Sequence, residues 1–222
     1  MKDLEKLDLE FTKMFGVKER EDDALLEHEV KILEALKPHP DLQSLRIKQF
    51  AGATLYPSWM TSLINLRCLT LINCANCKIL PPLGKLPYLK SLGIDSMLRL
   101  EKVGADFLGI TKRDGEEEDD SFISFPKLEK LEFRNSRQWK EWEGSTAATG
   151  GSTLKVMPCL RQLKICDCGS LEALPDFLQV TALQHLRIYR CTILREHFQK
   201  GKGNEWLNIS HIPNIQIDGI YM

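Results

Sequence analysis

Two cysteine pairs, Cys74-x-x-Cys77 and Cys166-x-Cys168, are the side chains of this sequence best suited to hold a metal. Four thiolates can close a tetrahedral zinc site with each sulfur about 2.3 Å from the ion. The run from Asp114 to Asp120 offers carboxylates to calcium, yet it lacks the alternating ligand spacing and following Glu of a dedicated loop, and reads as a solvated charge run. Five histidines, His28, His39, His185, His197 and His211, have no serine or cysteine motif beside them that would make them bases, and there is no nucleophile elbow. The Gly-Lys pairs Gly84-Lys85 and Gly201-Lys202 are followed by Leu86 and Gly203, so neither fits the G-x-x-x-x-G-K-[ST] pattern of a phosphate-binding loop. The expectation is therefore no catalytic site and no cofactor.

Whether the cysteines can meet depends on the elements that carry them. The pattern L-x-x-L-x-L, with Ile or Phe allowed, occurs at eight places, beginning at Leu4, Leu42, Leu66, Leu89, Leu128, Leu160, Leu183 and Ile212. Successive starts lie 38, 24, 23, 39, 32, 23 and 29 residues apart, so the shortest intervals define a unit and the longer ones carry insertions. Apolar and polar residues alternate within each motif, which makes a short strand with one face buried: Leu7 and Leu9, Leu45 and Ile47, and their counterparts point inward. One such unit cannot bury its own apolar face. Stacked in parallel about 4.8 Å apart, the units predict a leucine-rich-repeat solenoid of α/β class, with a curved parallel sheet on the concave face and irregular loops and short helices on the convex face.

This geometry decides the cysteines. Cys74 and Cys77 belong to a unit three steps from that of Cys166 and Cys168, about 14 Å along the stack, too far for one ion. Cys74, Cys168 and Cys191 instead share one place, three residues beyond the last strand leucine, where a small polar side chain satisfies backbone groups in the turn. Cys168 and Cys191 lie in adjacent units, about 5 Å apart in the stack, but a disulfide is unusual in a reducing compartment. No metal is expected.

Residues 1–222 read as one domain of about eight irregular repeats with insertions at 11–41, 111–124 and 144–157. In the first insertion, Asp22 and Asp23 can cap a helix with Leu26, Val30, Leu33 and Leu36 on one face, ended by Pro38 and Pro40. The second is too acidic and too poor in large apolar residues to fold alone, and the third is small and polar, a flexible surface excursion. The run from Cys77 to Leu92 suits an irregular convex segment, and the end from Gly201 a cap. Trp59, Trp139 and Trp142 read as structural cover rather than partner anchors.

With 30 basic and 31 acidic side chains, a formal net charge of -1 and 43% hydrophobic residues, the chain advertises neither nucleic acid nor membrane. No run approaches the roughly 18 apolar residues of a spanning helix, and the first residues lack a secretory h-region, so a cytoplasmic protein is expected.

Several phrases resemble a specific group. PHPDLQSLRI at 38–47, YPSWM at 56–60, CANCKILPPLGKLPYLKSL at 74–92, VGADFLG at 103–109, FPKLEKLEF at 125–133, the Trp139 and Trp142 pair, and MPCLRQLKICDC at 157–168 are similar to the leucine-rich-repeat region of plant coiled-coil, nucleotide-binding, leucine-rich-repeat (NLR) disease-resistance proteins. The resemblance implies plant defence: such repeats help hold a nucleotide switch inactive and take part in detecting pathogen molecules. It implies a protein partner, either a pathogen effector, a host guardee or the receptor's own nucleotide-binding domain. Without the phosphate loop, switching does not carry over, and the chain is expected to be the recognition part alone. The alternative is a general cytosolic leucine-rich-repeat adaptor without a defence role.

Outward strand residues are not required to pack, so they are the expected partner-binding set: Arg46, Lys48, Thr70, Lys130, Glu132, Arg134, Lys164, His185, Arg187 and Tyr189. The row reads as polar throughout, with cations at Arg134, Lys164 and Arg187 beside Tyr189.

Overall fold

In a computed structural model, each described L-x-x-L-x-L segment forms a strand whose two inner apolar residues leave water, completely in the later strands and partly for Leu7 and Leu9 of the first. The structure describes residues 5–11, 23–110, 122–144, 155–198 and 204–222. The strands in chain order are β1 (Lys6–Glu10), β2 (Ser44–Lys48), β3 (Cys68–Ile72), β4 (Ser91–Asp95), β5 (Lys102–Val103), β6 (Ile123–Ser124), β7 (Lys130–Arg134), β8 (Glu141–Trp142), β9 (Lys155–Val156), β10 (Gln162–Cys166), β11 (His185–Tyr189), β12 (Asn214–Ile217) and β13 (Ile220–Tyr221). Among the described residues three α-helices accompany them, α1 (Asp23–Leu36), α2 (Thr192–His197) and α3 (Asn204–Ile209).

One sheet of nine strands runs β1-β2-β3-β4-β7-β10-β11-β12-β13, parallel throughout except for the last pair. The register aligns the motifs leucine to leucine: Leu45, Leu69, Leu92, Leu131, Leu163, Leu186 and Ile215 form one buried row across neighbouring strands. A one-residue slip would bring polar side chains into that row, which is why alternation alone fixes the register. At the C-terminal end Asp218 and Gly219, both with positive φ, turn the chain into the antiparallel β12–β13 hairpin, as an Asp-Gly pair favours.

Strands β2, β3, β4, β7, β10 and β11 leave the sheet through a residue in the left-handed region: Gln49, Asn73, Ser96, Asn135, Asp167 and Arg190 have φ between +49° and +59°. The bend turns the chain toward the convex side while its N–H still bonds the next strand, as in Gln49 to the Ile72 carbonyl at 2.9 Å and Asn135 to the Cys166 carbonyl at 2.9 Å. One residue further on, the side chain turns inward. Cys168 donates its thiol to the Cys166 carbonyl at 3.3 Å and Cys191 to the Tyr189 carbonyl at 3.4 Å, while Ser136 makes the same bond to Arg134 at 3.3 Å. Cys74, Cys168 and Cys191 are each at most 1% exposed. Burial pushes the Cys74 and Cys168 thiols up to about 12 and that of Cys191 to about 11. At neutral pH a thiol reagent should therefore modify exposed Cys68 and half-buried Cys159 quickly, and Cys74, Cys77, Cys168 and Cys191 only on unfolding. Rapid native modification of Cys168 would contradict this packing.

The convex side is held by two short parallel ladders, β5 with β8 and β6 with β9. Residues 123–124 and 155–156, at the edges of the expected second and third insertions, thus pair with each other. The inner parts of those insertions, 111–121 and 145–154, together with Leu4 and Asp22, lie outside the described residues. Helix α1 docks by Leu33, 1% exposed, and partly buried Val30. Leu36 is exposed instead of packed, because the helix ends there and Lys37 takes positive φ before Pro38. The Trp59 indole N–H donates to the Leu33 carbonyl at 2.8 Å, and the Glu29 carboxylate accepts from the Ala51 N–H at 2.6 Å.

Trp139 and Trp142 are core residues, 0% and 6% exposed. They stack in a chain of rings with Phe133, Phe107, Phe125 and Phe177 that fills the middle of the solenoid. Among the described residues no helix is long and apolar enough to cross a membrane.

Candidate protein-recognition surface

The alternation that buries one residue in two leaves three outward rows on the concave face. The middle row runs Asp8, Arg46, Thr70, Gly93, Glu132, Lys164, Arg187 and Gln216 across adjacent strands. Flanking it on one side are Lys6, Ser44, Cys68, Ser91, Lys130, Gln162, His185 and Asn214, and on the other Glu10, Lys48, Ile72, Asp95, Arg134, Cys166 and Tyr189. All ten sequence-derived candidates therefore lie on one face. The expectation of a polar row throughout is corrected: Cys68, Ile72, Gly93 and Cys166 occupy outward positions, because not every repeat uses a charged residue there.

Charge divides this face into two parts. At the N-terminal end Arg46 and Lys48 are matched. Asp8 lies 3.4 Å from Arg46 and 3.1 Å from Lys48, and Glu10 lies 3.6 Å from Lys48. Each contact crosses one strand spacing, so Arg46 and Lys48 already hold partners. Thr70 stands between them and Gly93, half-buried and uncharged.

From β7 to β12 the outward positions carry four cations, Lys130, Arg134, Lys164 and Arg187, and one carboxylate, Glu132. Glu132 pairs with Arg134 on its own strand and with Lys164 at 2.9 Å on the next. Partial burial pushes its carboxyl up, but the hydrogen bonds from Lys164 and Arg134 outweigh this and hold it below the usual carboxylate range, while the same contact raises Arg134. Arg187 is exposed and makes no ion pair among the described residues. The acids on the rim are engaged elsewhere: Asp167 lies 3.7 Å from Arg190, and Asp218 accepts from the Arg190 N–H at 2.7 Å.

Two shallow concavities open here. One of about 290 Å³ is lined by Arg134, Lys164, Cys166, Arg187 and Tyr189. The other, about 320 Å³, is lined by His185, Arg187, Asn214, Gln216 and Tyr221, and Lys164, Arg187 and Gln216 border both. Tyr189 and Tyr221 are 40% and 72% exposed, and Arg190 sits over the Tyr189 ring at 5.1 Å. Sequence reasoning missed Tyr221, although the Asp218-Gly219 hairpin signal folds it back beside Gln216. Among the described residues no three His, Cys, Asp or Glu side chains group as metal ligands.

A register-aligned stack of leucine motifs, inward thiols at three of the turns and an open, mostly polar face define a leucine-rich-repeat module, a class whose business is contact with other proteins. The family model described as R13L1/DRL21 LRRs matches residues 1–97. Disease resistance RPP13-like protein 1 of Arabidopsis thaliana is 33% identical over 171 residues, covering 76% of this chain and 15% of that protein. Disease resistance protein RGA2 of Solanum bulbocastanum is 32% identical over 199 residues, covering 85% of this chain and 19% of that protein. The chain belongs with the leucine-rich-repeat regions of plant NLR disease-resistance proteins. It spans less than a fifth of the length of these two curated relatives.

Proposed function

We propose that this chain is the protein-recognition module of a plant intracellular immune receptor, contributing to effector sensing or to restraint of the receptor through its concave face, in the cytoplasm and without catalysis of its own. The observation that carries this reading is the division of the concave face: Arg46 and Lys48 are matched by Asp8 and Glu10, whereas from β7 to β12 four cations share one carboxylate, Glu132, and Arg187 makes no ion pair among the described residues. Charge-matched residues lose little by staying in water, whereas a trough with an excess of cations gains from an acidic partner. Of the ten candidates, Lys164, Arg187, His185 and Tyr189 therefore stand at the centre of the surface, and Arg46 and Lys48 at its margin.

The test uses a photoreactive phenylalanine derivative placed at Gln216, in the trough, or at Val180, which is 81% exposed on the convex side. Irradiated in challenged leaf tissue, the Gln216 form should cross-link a protein that the Val180 form does not. Cross-linking through Val180 alone would overturn the concave assignment. Equal recovery from unchallenged tissue would favour the adaptor without a defence role.

A further inference from the structure

We propose that the trough between β7 and β13 binds an extended acidic peptide segment, with Arg187 taking a carboxylate of that segment. This rests on the concave-face reading above and adds to it the chemistry of the partner.

The argument begins with the middle row. Glu132, Lys164, Arg187 and Gln216 are register partners on four successive strands, so their Cα atoms follow one another at about 4.8 Å. Glu132 serves as the shared acid for the cations on either side of it, Arg134 and Lys164. Arg187 occupies the next rung and has no corresponding acid: the rung beyond it is Gln216, whose amide donates to the Gly219 carbonyl at 3.3 Å. A carboxylate placed over Arg187 would stand to Lys164 as Glu132 does from the opposite side. It would complete an alternation of charge that the N-terminal strands already show with Asp8, Arg46 and Lys48. A guanidinium favours a carboxylate because its paired N–H groups match both oxygens.

The shape agrees with a chain rather than a small molecule. The two concavities are open and share Lys164, Arg187 and Gln216, so they form one trough running across the strands, with Tyr189 and Tyr221 exposed along it. Exposed tyrosines supply rigid amphipathic contact area to a passing peptide. A nucleic acid fits less well, since a continuous phosphate backbone calls for an unbroken stripe of cations and Glu132 interrupts this one.

The experiment is fluorescence anisotropy of the full chain with a labelled hexaglutamate peptide at low salt. Binding is expected, weakened at least about tenfold by Arg187→Ala and changed less than about twofold by Arg46→Ala, whose partner Asp8 is internal. Glu132→Gln removes the competing carboxylate and should tighten binding severalfold. Arg187 is exposed, so its variant should melt with the wild type, which separates lost contact from lost fold. Equal affinity of wild type and Arg187→Ala, equal binding of hexalysine, or tighter binding of a thymidine hexanucleotide would each overturn the proposal. If Gln216 captures a partner in tissue while hexaglutamate ignores Arg187, the acidic partner fails and the concave reading stands. If hexaglutamate depends on Arg187 while capture occurs only through Val180, the reverse holds.

Discussion

Titration with base, followed by circular dichroism, should unfold this protein cooperatively between about pH 9.5 and 11, through thiols that have no role in recognition. Cys74, Cys168 and Cys191 carry folded values of about 12, 12 and 11 against an ordinary thiol value of 9.0, and burial raises Cys77 as well. Below the ordinary value both folded and unfolded chains keep the proton, so the thiols place no pH dependence on stability. Above it the unfolded chain releases protons that the folded chain retains, and stability falls as pH rises until the folded values are passed. One unit is worth about 1.4 kcal/mol, so at about pH 10.5 each of the three withdraws about 2 kcal/mol. Their combined loss of about 6 kcal/mol is comparable with the whole stability of an ordinary domain, about 5–15 kcal/mol. The control is the triple variant Cys74→Ser, Cys168→Ser and Cys191→Ser. Ser136 already fills this place in one repeat and donates to the same kind of carbonyl. A hydroxyl does not titrate in this range, so the triple variant should lose stability more slowly with pH, whatever its stability at pH 7. An unchanged slope would show that the buried thiols do not govern the transition.

That shared turn position was legible because the same arithmetic, three residues past the last strand leucine, placed all three cysteines there. The sheet was legible for a related reason: a period of two repeated along the chain fixes both the strands and their register, since Leu45 can face Leu69 only if every neighbour follows. The outward rows came with it. What alternation does not contain is which outward charges already have partners. Asp8 meets Arg46 from 38 residues away, and Glu132 meets Lys164 from 32 residues away, contacts set by strand order rather than local spacing. So the sequence reading could name Arg46 and Arg187 as members of one set but could not tell that the first is paired and the second is not. The convex ladders were hidden differently. Two-residue strands such as Lys102–Val103 and Glu141–Trp142 are too short to show a period.

Replacing Trp139 with alanine should be the most damaging single change in the core, costing about 3–5 kcal/mol. The indole is fully buried, its ring centre lies 4.4 Å from that of Phe133 and 5.3 Å from that of Trp142, and its N–H donates to the Glu141 carbonyl at 2.8 Å. Phe107 and Phe177 continue the contact on either side, so the cluster joins the segment after β4 to the segment after β10. Trp139→Phe keeps most of the ring contact and forfeits the hydrogen bond, leaving the Glu141 carbonyl short of a donor, so a smaller loss of about 1–3 kcal/mol is expected. The location of the damage is as telling as its size. Each unit of a solenoid touches its neighbours alone, so the effect should spread outward from the lesion and fade. Native-state hydrogen exchange should show the amides of β7 and β10 losing protection in Trp139→Ala while those of β2 and β3 keep most of theirs. Uniform loss along the sheet would mean that the repeats fold as one all-or-none body, and that a partner bound near Arg187 could be felt at β1 through stability alone.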